Sequence, residues 1–455
     1  MRRWGAIFYA PRVLLNIVYL LVILLALPWV AWRRVFGGRP VAAPWTRFTG
    51  RITVAPRQPG TARIWLHGVS VGEVQLLAGL AGELSRQAGA RGCPLDCVIS
   101  SSTTTGLEVA GKRFGADASF PCPLDLTWAI DRVLDRVRPD LVVLGELELW
   151  PNLITRIHRR GIPLVVANGR MSERSAAGYG RIAPLVRRML RTVSLVVARS
   201  HTDAERFAAL GATNVRVAGS LKFDGVKGDR TAPDVSRLRR LSGLADDDLV
   251  FLAGSTQAPE ERLAAEAFLT LRPKHPRLRL VIVPRHVERA AEIGATLNGL
   301  GLAWTARSTL ADTPPPRDHA LLVDTTGELG WWWGTATIAF VGGSLDGKRG
   351  GQNMLEPAAY GAAVSFGPHT KNFRDEVRRL LDADAAVVVA DGTALEAFVA
   401  RCLADPGWAA DLGGRASRFV ASQRGAVATT ASLILDLMPG MRPSPGEAAA
   451  RLPAG

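Results

Sequence analysis

One glutamate stands where a short apolar segment gives way to a predicted helix. The stretch HGVSVGE carries Gly68 and Gly72, which permit a tight turn, and then Glu73 in the first turn of that helix. A carboxylate is favoured there by the unpaired N–H groups of the helix start, so Glu73 has an ordinary structural reading. The same position at a strand end would also suit a general base.

A second stretch, LGELELWPNLI, ends a wholly apolar strand with two more carboxylates, Glu146 and Glu148. Burying an unpaired carboxylate is costly, so these side chains need solvent, hydrogen bonds or a partner. Asn152 and Arg170 are candidate partners. The sequence leaves open whether the pair has a catalytic role or forms an ion-pair network that orders the loop.

Two cations follow other apolar segments. Lys222, in GSLKFD, could contact a developing negative charge or could be an ordinary linker lysine. Arg285, after Pro284 in VPRH, suits phosphate recognition because its guanidinium offers a planar fork of donors.

A glycine-rich stretch lies in the second half of the chain, VGGSLDGKRGGQNMLEPAAYG, and the shorter motif Gly327–Glu328–Leu329 precedes it. The pattern predicts a loop that leads into a helix opening near Gln352, an arrangement that binds anions. Glu356 would lie one turn into that helix, within reach of a sugar hydroxyl. The spacing does not match a Walker motif, so nucleotide hydrolysis of that type is not indicated.

The pattern of elements that would position these residues predicts a doubly wound α/β fold. Apolar runs such as RIWLHG, DLVVLGE, PLVVANG and LRLVIVPR alternate with helical patterns, for example over 73–87 and 126–138. A polar stretch at 224–248 predicts a linker between two Rossmann-like domains, whose ligands would bind at the carboxyl ends of the strands. The predicted divisions are an anchor at 1–36, domains at 37–228 and 229–440, and a flexible tail at 441–455.

The whole chain limits the class of protein. Its 455 residues exceed one ordinary core, and its net charge of +15 favours an anionic partner. The basic residues are scattered and lack the aromatic pattern of an RNA-binding sheet, so nucleic acid is not predicted as a partner. The four cysteines lack zinc-site spacing and are predicted to be reduced, and no metal is expected.

An apolar segment from Val13 to Trp32, interrupted by Asn16, predicts a membrane anchor. Twenty residues of helix match a hydrocarbon core of ~30 Å, and arginines flank the segment on both sides. A cleaved signal peptide is the competing reading, but no A-x-A site follows and arginines come next. Pro28 also permits a kinked or monotopic segment.

Taken together, the motifs HGVSVGE, GELELWPNL, ANGRMSERS, GSLKFD, VPRH, VGGS and GGQNMLEPAAYG, with the anchor, resemble the 3-deoxy-D-manno-octulosonic acid (Kdo) transferases. The resemblance covers roughly residues 10–435. It implies a GT-B fold with two Rossmann-like domains facing a cleft, CMP-Kdo as donor, and a lipid A precursor as acceptor. It also implies work at the cytoplasmic face of the inner membrane, among its lipids, without a metal or other cofactor. Nothing in the sequence predicts an oligomeric state.

The resemblance assigns roles to single residues. Glu73 matches the family's general base, and Glu146 and Lys222 match its supporting functional positions. The implied CMP-binding residues are Pro284, Arg285, Gly327, Glu328, Leu329, Asn353, Met354, Leu355 and Glu356. Direct attack by a sugar hydroxyl with release of CMP would invert the anomeric centre.

Three positions depart from common versions of the pattern: Gln257 and Gln352, where histidine is frequent, and Thr337, where an aspartate is frequent. They affect the nucleotide site more than the proposed base. Two other functions fit less well: a GT-B enzyme with a UDP-sugar donor and a lipid acceptor, and a membrane-anchored binding protein without activity.

Overall fold

The computed structural model describes residues 15–25, 43–310, 314–438 and 441. The chain forms two units, Met1–Gly225 together with Arg424–Gly455, and Val226–Gln423. Each unit has its own parallel sheet, with hydrophobic side chains packed on both faces. The predicted class, two α/β domains with parallel sheets, is confirmed.

Seven strands form the sheet of the first unit: β1 (Ala62–Gly68), β2 (Leu95–Ser101), β3 (Ser119–Pro121), β4 (Leu141–Gly145), β5 (Leu164–Gly169), β6 (Leu195–Ala198) and β7 (Val215–Val217). Their order is β3-β2-β1-β4-β5-β6-β7, and neighbouring strands pair in parallel. Every residue of β4 and β5 is buried, which explains the uninterrupted apolar runs of the sequence.

Helices pack on both faces of this sheet. The helices described in this unit up to residue 225 are α1 (residues 15–25), α2 (Pro44–Thr49), α3 (Val71–Ala90), α4 (Thr104–Phe114), α5 (Thr127–Val137), α6 (Pro151–Arg159), α7 (Glu173–Gly180), α8 (Ala183–Leu190) and α9 (His201–Ala209). In α3 the buried side chains recur every three or four residues, from Val74 through Leu77 and Leu84 to Ala88. This apolar stripe packs against Ile64 and the rest of one sheet face.

Seven strands likewise form the sheet of the second unit: β8 (Leu249–Thr256), β9 (Leu278–Pro284), β10 (Trp304–Ala306), β11 (Ala320–Leu322), β12 (Ile338–Val341), β13 (Ala363–Phe366) and β14 (Val387–Val388). Their order is β10-β11-β9-β8-β12-β13-β14, again parallel. The helices are α10 (Pro233–Leu241), α11 (Glu260–Leu271), α12 (Ala290–Gly299), α13 (Leu329–Trp332), α14 (Leu355–Ala359), α15 (Arg374–Asp382), α16 (Gly392–Ala404) and α17 (Pro406–Ser422).

The last described helix, α18 (Ala426–Leu435), belongs to the first unit, although the sequence placed residues up to 440 in the second domain. The Asp224 carboxylate accepts hydrogen bonds from the backbone N–H groups of Gly425 (2.6 Å) and Val427 (2.8 Å) at the start of this helix. Its apolar side chains, such as Ile434, then join the core beneath α3. The chain therefore returns to its first unit after completing the second.

The stretch predicted as a linker at 224–248 contains helix α10. Pro233 begins this helix with its φ already set, and Val235 and Leu238 bury their side chains. The predicted tail at 441–455 lies outside the described residues except for Met441. The predicted anchor, Val13–Trp32, is described only over α1, and no helix within the described ranges has both the length and the hydropathy to cross a bilayer.

The strand order creates one switch point in each sheet. In the first sheet β1 lies between β2 and β4, and in the second sheet β8 lies between β9 and β12. The connections leaving the two central strands of each sheet part in opposite directions there, which opens a crevice at the carboxyl ends of the strands. Residues after β1 and β4 line the first crevice, and residues after β8 and β12 line the second.

Candidate active site

Glu73 lies at the switch point of the first sheet, in the first turn of α3, as the sequence predicts. Ser70 caps the helix, because its Oγ accepts a hydrogen bond from the Glu73 N–H at 3.3 Å. The Glu73 carboxylate in turn accepts from the Val69 N–H and from the Ser70 hydroxyl, each at 2.9 Å. This reciprocal pattern resembles a capping box and fixes the carboxylate over the end of β1.

Two glycines leave space for that carboxylate. A Cβ on Gly68 would lie 3.2 Å from the Glu73 Cβ, and a Cβ on Gly145 would lie 3.2 Å from the His67 carbonyl oxygen and 3.7 Å from Glu73 Oε2. Side chains at these strand ends would crowd the carboxylate or the backbone beside it. The glycines at the ends of β1 and β4 are therefore part of the site.

Glu146 follows Gly145 and turns the chain away from the sheet. Its φ of +54° lies in the left-handed region, which is uncommon for a side-chain-bearing residue, and its N–H donates to the Ala167 carbonyl at 2.9 Å. The turn directs the chain into the segment 147–150 and places acidic side chains around an open pocket of about 300 Å³. The residues lining this pocket are Glu73, Glu146, Leu147, Glu148, Arg170, Ser172, Ser175 and Tyr179.

Two glutamates of this carboxylate pocket, Glu73 and Glu148, have raised pKa values. Burial raises the pKa of Glu73 and the charge of Glu146 adds to the increase, while hydrogen bonds from Val69 and Ser70 oppose it. Burial also raises the pKa of Glu148, and the charge of Glu73 contributes. A carboxylate with a raised pKa is a stronger proton acceptor than an ordinary glutamate. The pocket therefore has the chemistry of a general base with acidic neighbours.

Two residues singled out in the sequence lie apart from this pocket. Asn152 is buried, and its side-chain amide donates to the Asp125 carbonyl (2.6 Å) and to Asn16 Oδ1 (3.2 Å). Both amide hydrogens are thereby used, so Asn152 is not the partner of Glu146 or Glu148 that the sequence suggested. Lys222 is half-buried in the turns after β7 and is not among the residues lining the pocket.

The predicted phosphate-binding arginine lies in the second unit. Pro284 ends β9 beside Thr256, and the Arg285 N–H donates to the Thr256 carbonyl at 3.0 Å. The Arg285 side chain is exposed. The guanidinium is therefore available to an anionic ligand at the carboxyl end of β9.

Glu328, also predicted to bind CMP, has protein partners of its own. Gly327 turns with a φ of +84°, and the Glu328 carboxylate accepts hydrogen bonds from Arg307 (2.9 Å) and Thr325 (2.8 Å). Burial raises the pKa of Glu328, but these hydrogen bonds and the Arg307 charge outweigh it and leave the pKa below its ordinary range. The half-buried Leu329 begins α13 next to it. Glu328 is therefore held ionised.

The segment Asn353–Glu356 divides into two pairs. Asn353 Nδ2 donates to Glu356 Oε1 at 3.0 Å, and burial raises the pKa of Glu356. Met354 and Leu355 are completely buried, whereas Asn353 and Glu356 are half-buried. Helix α14 begins at Leu355 rather than near Gln352, because Asn353 Oδ1 accepts the Leu355 N–H and ends the preceding loop.

Lys227, for which the sequence pattern predicts no role, lies near this segment in the second unit. Its Nζ is 3.0 Å from the centre of the Trp331 ring, and its charge acts on Glu356. Burial lowers the pKa of Lys227, while the charges of Asp234 and Glu356 oppose that change. The cation therefore joins the Gly327–Trp331 and Asn353–Glu356 segments. The only sequence signal for it was the tryptophan-rich ELGWWWG.

Glu260, equally unassigned in the sequence, organises the glycine-rich loop at the switch point of the second sheet. Its buried carboxylate accepts the backbone N–H groups of Gln257 (2.9 Å), Gly343 (2.7 Å), Ser344 (3.0 Å) and Leu345 (3.2 Å). A Cβ on Gly342 would lie 2.6 Å from the same carboxylate. Acidic residues at the start of a buried helix, in STQAPEE, were the available signal.

The part of the chain that the structure describes contains no cluster of three or more His, Cys, Asp or Glu side chains suited to a metal ion.

Comparisons with known proteins identify first the fold of this chain and then its family. A UDP-GlcNAc 2-epimerase from Neisseria meningitidis, solved with UDP-GlcNAc, has the same fold, with a TM-score of 0.51 and 14% identity. The likeness covers 79% of this chain and 99% of that one, and it shows the fold alone.

Residues 46–225 match the family model described as 3-deoxy-D-manno-octulosonic-acid transferase. The Haemophilus influenzae 3-deoxy-D-manno-octulosonic acid transferase is 33% identical over 395 residues, which cover 86% of this chain and 89% of the relative. The Bordetella pertussis enzyme of the same name is 32% identical over 421 residues, covering 89% and 94%. The chain belongs to the Kdo transferase family and is a glycosyltransferase, so the resemblance seen in the sequence is confirmed.

Proposed function

We propose that this protein transfers Kdo from CMP-Kdo to a lipid A precursor at the cytoplasmic face of the inner membrane, with inversion and with Glu73 as general base. The observation that carries the proposal is the position of Glu73. Its carboxylate is fixed at the switch point of the first sheet, borders an open pocket and has a raised pKa.

The proposed reaction is one displacement. A sugar hydroxyl of the acceptor loses its proton to Glu73 as its oxygen attacks the anomeric carbon of Kdo. The bond from that carbon to the phosphate oxygen of CMP breaks, and CMP leaves with the bonding electron pair. Glu146 and Lys222 are proposed as supporting residues: the charge of Glu146 raises the pKa of Glu73, and Lys222 is a cation of the same unit.

The second unit is proposed to bind CMP. Arg285 is exposed at a strand end, where its donor fork suits the phosphate. Glu356, hydrogen-bonded to Asn353 and near the Lys227 charge, is proposed to accept a hydrogen bond from a ribose hydroxyl. Gly327, Glu328 and Leu329, with Met354 and Leu355, are proposed to complete the site. No step of the proposed reaction requires a metal ion.

The test is a transfer assay with CMP-Kdo and a tetraacyl disaccharide bisphosphate. We expect CMP release together with a product whose mass increases by one or more Kdo units. A panel of UDP-sugars serves as the donor control. Absence of CMP release with any lipid A precursor would refute the proposal, while turnover of a UDP-sugar would support the alternative donor. Failure with both donors would favour a binding protein without activity.

A further inference from the structure

Helix α1 contacts the rest of the first unit through its two polar residues, Asn16 and Tyr19. Asn16 Nδ2 donates to Thr127 Oγ1 at 2.8 Å, and Asn16 Oδ1 accepts from the Thr127 N–H at 3.3 Å. Asn16 Oδ1 also accepts from Asn152 Nδ2 at 3.2 Å. Asn16 therefore joins α1 to the first residue of α5 and the first turn of α6 by three hydrogen bonds.

The groups that hold Asn16 belong to a buried polar cluster. The Asp125 carboxylate accepts the N–H groups of Asn152 (3.0 Å) and Leu153 (2.8 Å), and the Tyr19 hydroxyl donates to it as well. Asp125 and Asn152 are only 5% and 4% exposed. Such a cluster holds its members in one geometry, because any broken hydrogen bond leaves a buried polar atom without a partner.

This cluster adjoins the carboxylate pocket along the chain. Helix α6 begins at Pro151, directly after the segment 147–150 that leaves the pocket residue Glu146. Asn152 is four residues beyond Glu148, which lines the pocket. A displacement of α1 would therefore act on the end of the segment that carries Glu148.

The other face of α1 is apolar and exposed. Seven side chains are between 38% and 79% exposed. They are Ile17, Val18, Leu20, Leu21, Val22, Leu24 and Leu25. Lipid is the occupant that fits this face, because the exposed side chains of α1 carry no charge and no hydrogen-bonding group. In the sequence, Arg12 precedes the apolar segment and Arg33 and Arg34 follow it, which suits anionic lipid headgroups.

We propose that Asn16 is a positioning residue: it fixes the lipid-bound helix α1 to the segment carrying Glu148, and so presents a membrane-embedded acceptor to Glu73 at a set depth and angle. The proposal rests on the proposed function, since only an acceptor held in the bilayer needs this alignment. An asparagine in an otherwise apolar segment lowers affinity for lipid, so its three hydrogen bonds into the enzyme are its physical reason to be there.

The experiment compares wild type, Asn16→Leu, Thr127→Val and Thr127→Ser on two acceptors. One is the acylated disaccharide bisphosphate in vesicles of phosphatidylethanolamine and phosphatidylglycerol, and the other is its water-soluble deacylated form. For Asn16→Leu we expect kcat/KM on the vesicle acceptor to fall about tenfold, which is the effect expected when one to three hydrogen bonds are lost. Its kcat/KM on the deacylated acceptor and its sedimentation with vesicles should stay within about twofold of wild type.

The two threonine variants form a matched pair. Thr127→Val removes the hydroxyl that Asn16 bonds and should reproduce the selective loss, whereas Thr127→Ser keeps the hydroxyl and should remain near wild type. An equal loss on both acceptors would show a merely structural role and overturn the proposal. An unchanged rate on vesicles would overturn it too, as would failure of the wild type to sediment with vesicles. Absence of transfer by the wild type to either acceptor would instead refute the proposed function, and the inference with it.

Discussion

The two switch points of this protein are built alike and filled differently. At the first, the residues after β1 and β4 supply Glu73 and Glu146, side chains that face an open pocket. At the second, the residues after β8 and β12 are drawn together by Glu260, whose carboxylate is saturated by four backbone N–H groups. One crevice thus exposes acidic side chains, and the other is lined by an ordered glycine-rich backbone.

Glu73, Glu260 and Glu328 are suited to different roles because their surroundings differ. Glu73 is buried enough for its pKa to rise yet still borders solvent, so it is suited to accept a proton. Burial raises the pKa of Glu260 as well, but its oxygens are fully occupied by hydrogen bonds, so it organises a loop. Glu328, beside Arg307, has a lowered pKa and remains an anion. Residue type alone therefore did not assign these roles.

We expect the largest effect on turnover for Glu73→Gln, which changes a residue of the first crevice and leaves the second crevice unaltered. Glutamine retains the shape and can keep the helix cap, but it cannot take a proton, so kcat should fall by about 10²–10⁴-fold. CMP binding, measured by calorimetry, should be unchanged, since the proposed CMP site is in the second unit. Glu83→Gln, which loses a carboxylate that is ion-paired with Arg86 on the same helix, is the control. Near-normal turnover by Glu73→Gln would remove Glu73 from the role of base.

The converse substitution, Glu260→Gln, acts on the second crevice. One carboxylate oxygen becomes an NH₂ group that faces N–H donors, which should lower the free energy of unfolding by about 2–4 kcal/mol. The loosened loop should raise the KM for CMP-Kdo about tenfold, with kcat within about twofold. Urea titration and steady-state kinetics measure both effects, and Glu266→Gln on the same helix is the control. A KM equal to wild type would show that the loop takes no part in donor binding.

The sequence predicted what depends on neighbours along the chain. Glu73 and its helix start follow from SVGE, and the buried parallel strands follow from uninterrupted apolar runs. It could not predict Glu260, whose partners Gly343 to Leu345 lie more than 80 positions away. The return of α18 to the first unit likewise depends on Asp224, about 200 positions earlier. Asn152 was misassigned because a competing buried partner, Asp125, was not visible from its own segment.

The carboxylate pocket can be examined further through pH. If Glu73 is the base, as proposed, it acts when ionised, so kcat/KM should rise with pH through the Glu73 pKa, which burial raises above the ordinary glutamate value of about 4.3. Glu146→Gln removes a nearby negative charge that raises this pKa. The half-maximal point of the normalised profile should therefore move to lower pH. Glu108→Gln, an exposed change on α4, should leave the profile in place. A shift to higher pH would contradict the proposed coupling.

The smallest effect is expected where the second crevice departs from the family pattern. The amides of Gln257 and Gln352 would lie 3.5 Å and 3.4 Å from a Cβ on Gly343, so both frequent histidine positions meet at this loop. Amides do not titrate, and we expect the contribution of this pair to the KM for CMP-Kdo to be the same at pH 6 and pH 8. In Gln257→His/Gln352→His, the imidazoles, a side-chain type whose ordinary pKa is about 6.5, would carry more positive charge at pH 6 than at pH 8 and attract the anionic donor. The KM of that variant should then be roughly twofold to fivefold lower at pH 6 than at pH 8, relative to wild type. Gln58→His, an exposed change in the first unit, should show no such difference. If the double variant also behaves like wild type at both pH values, the loop beside Gly343 does not approach the donor phosphate.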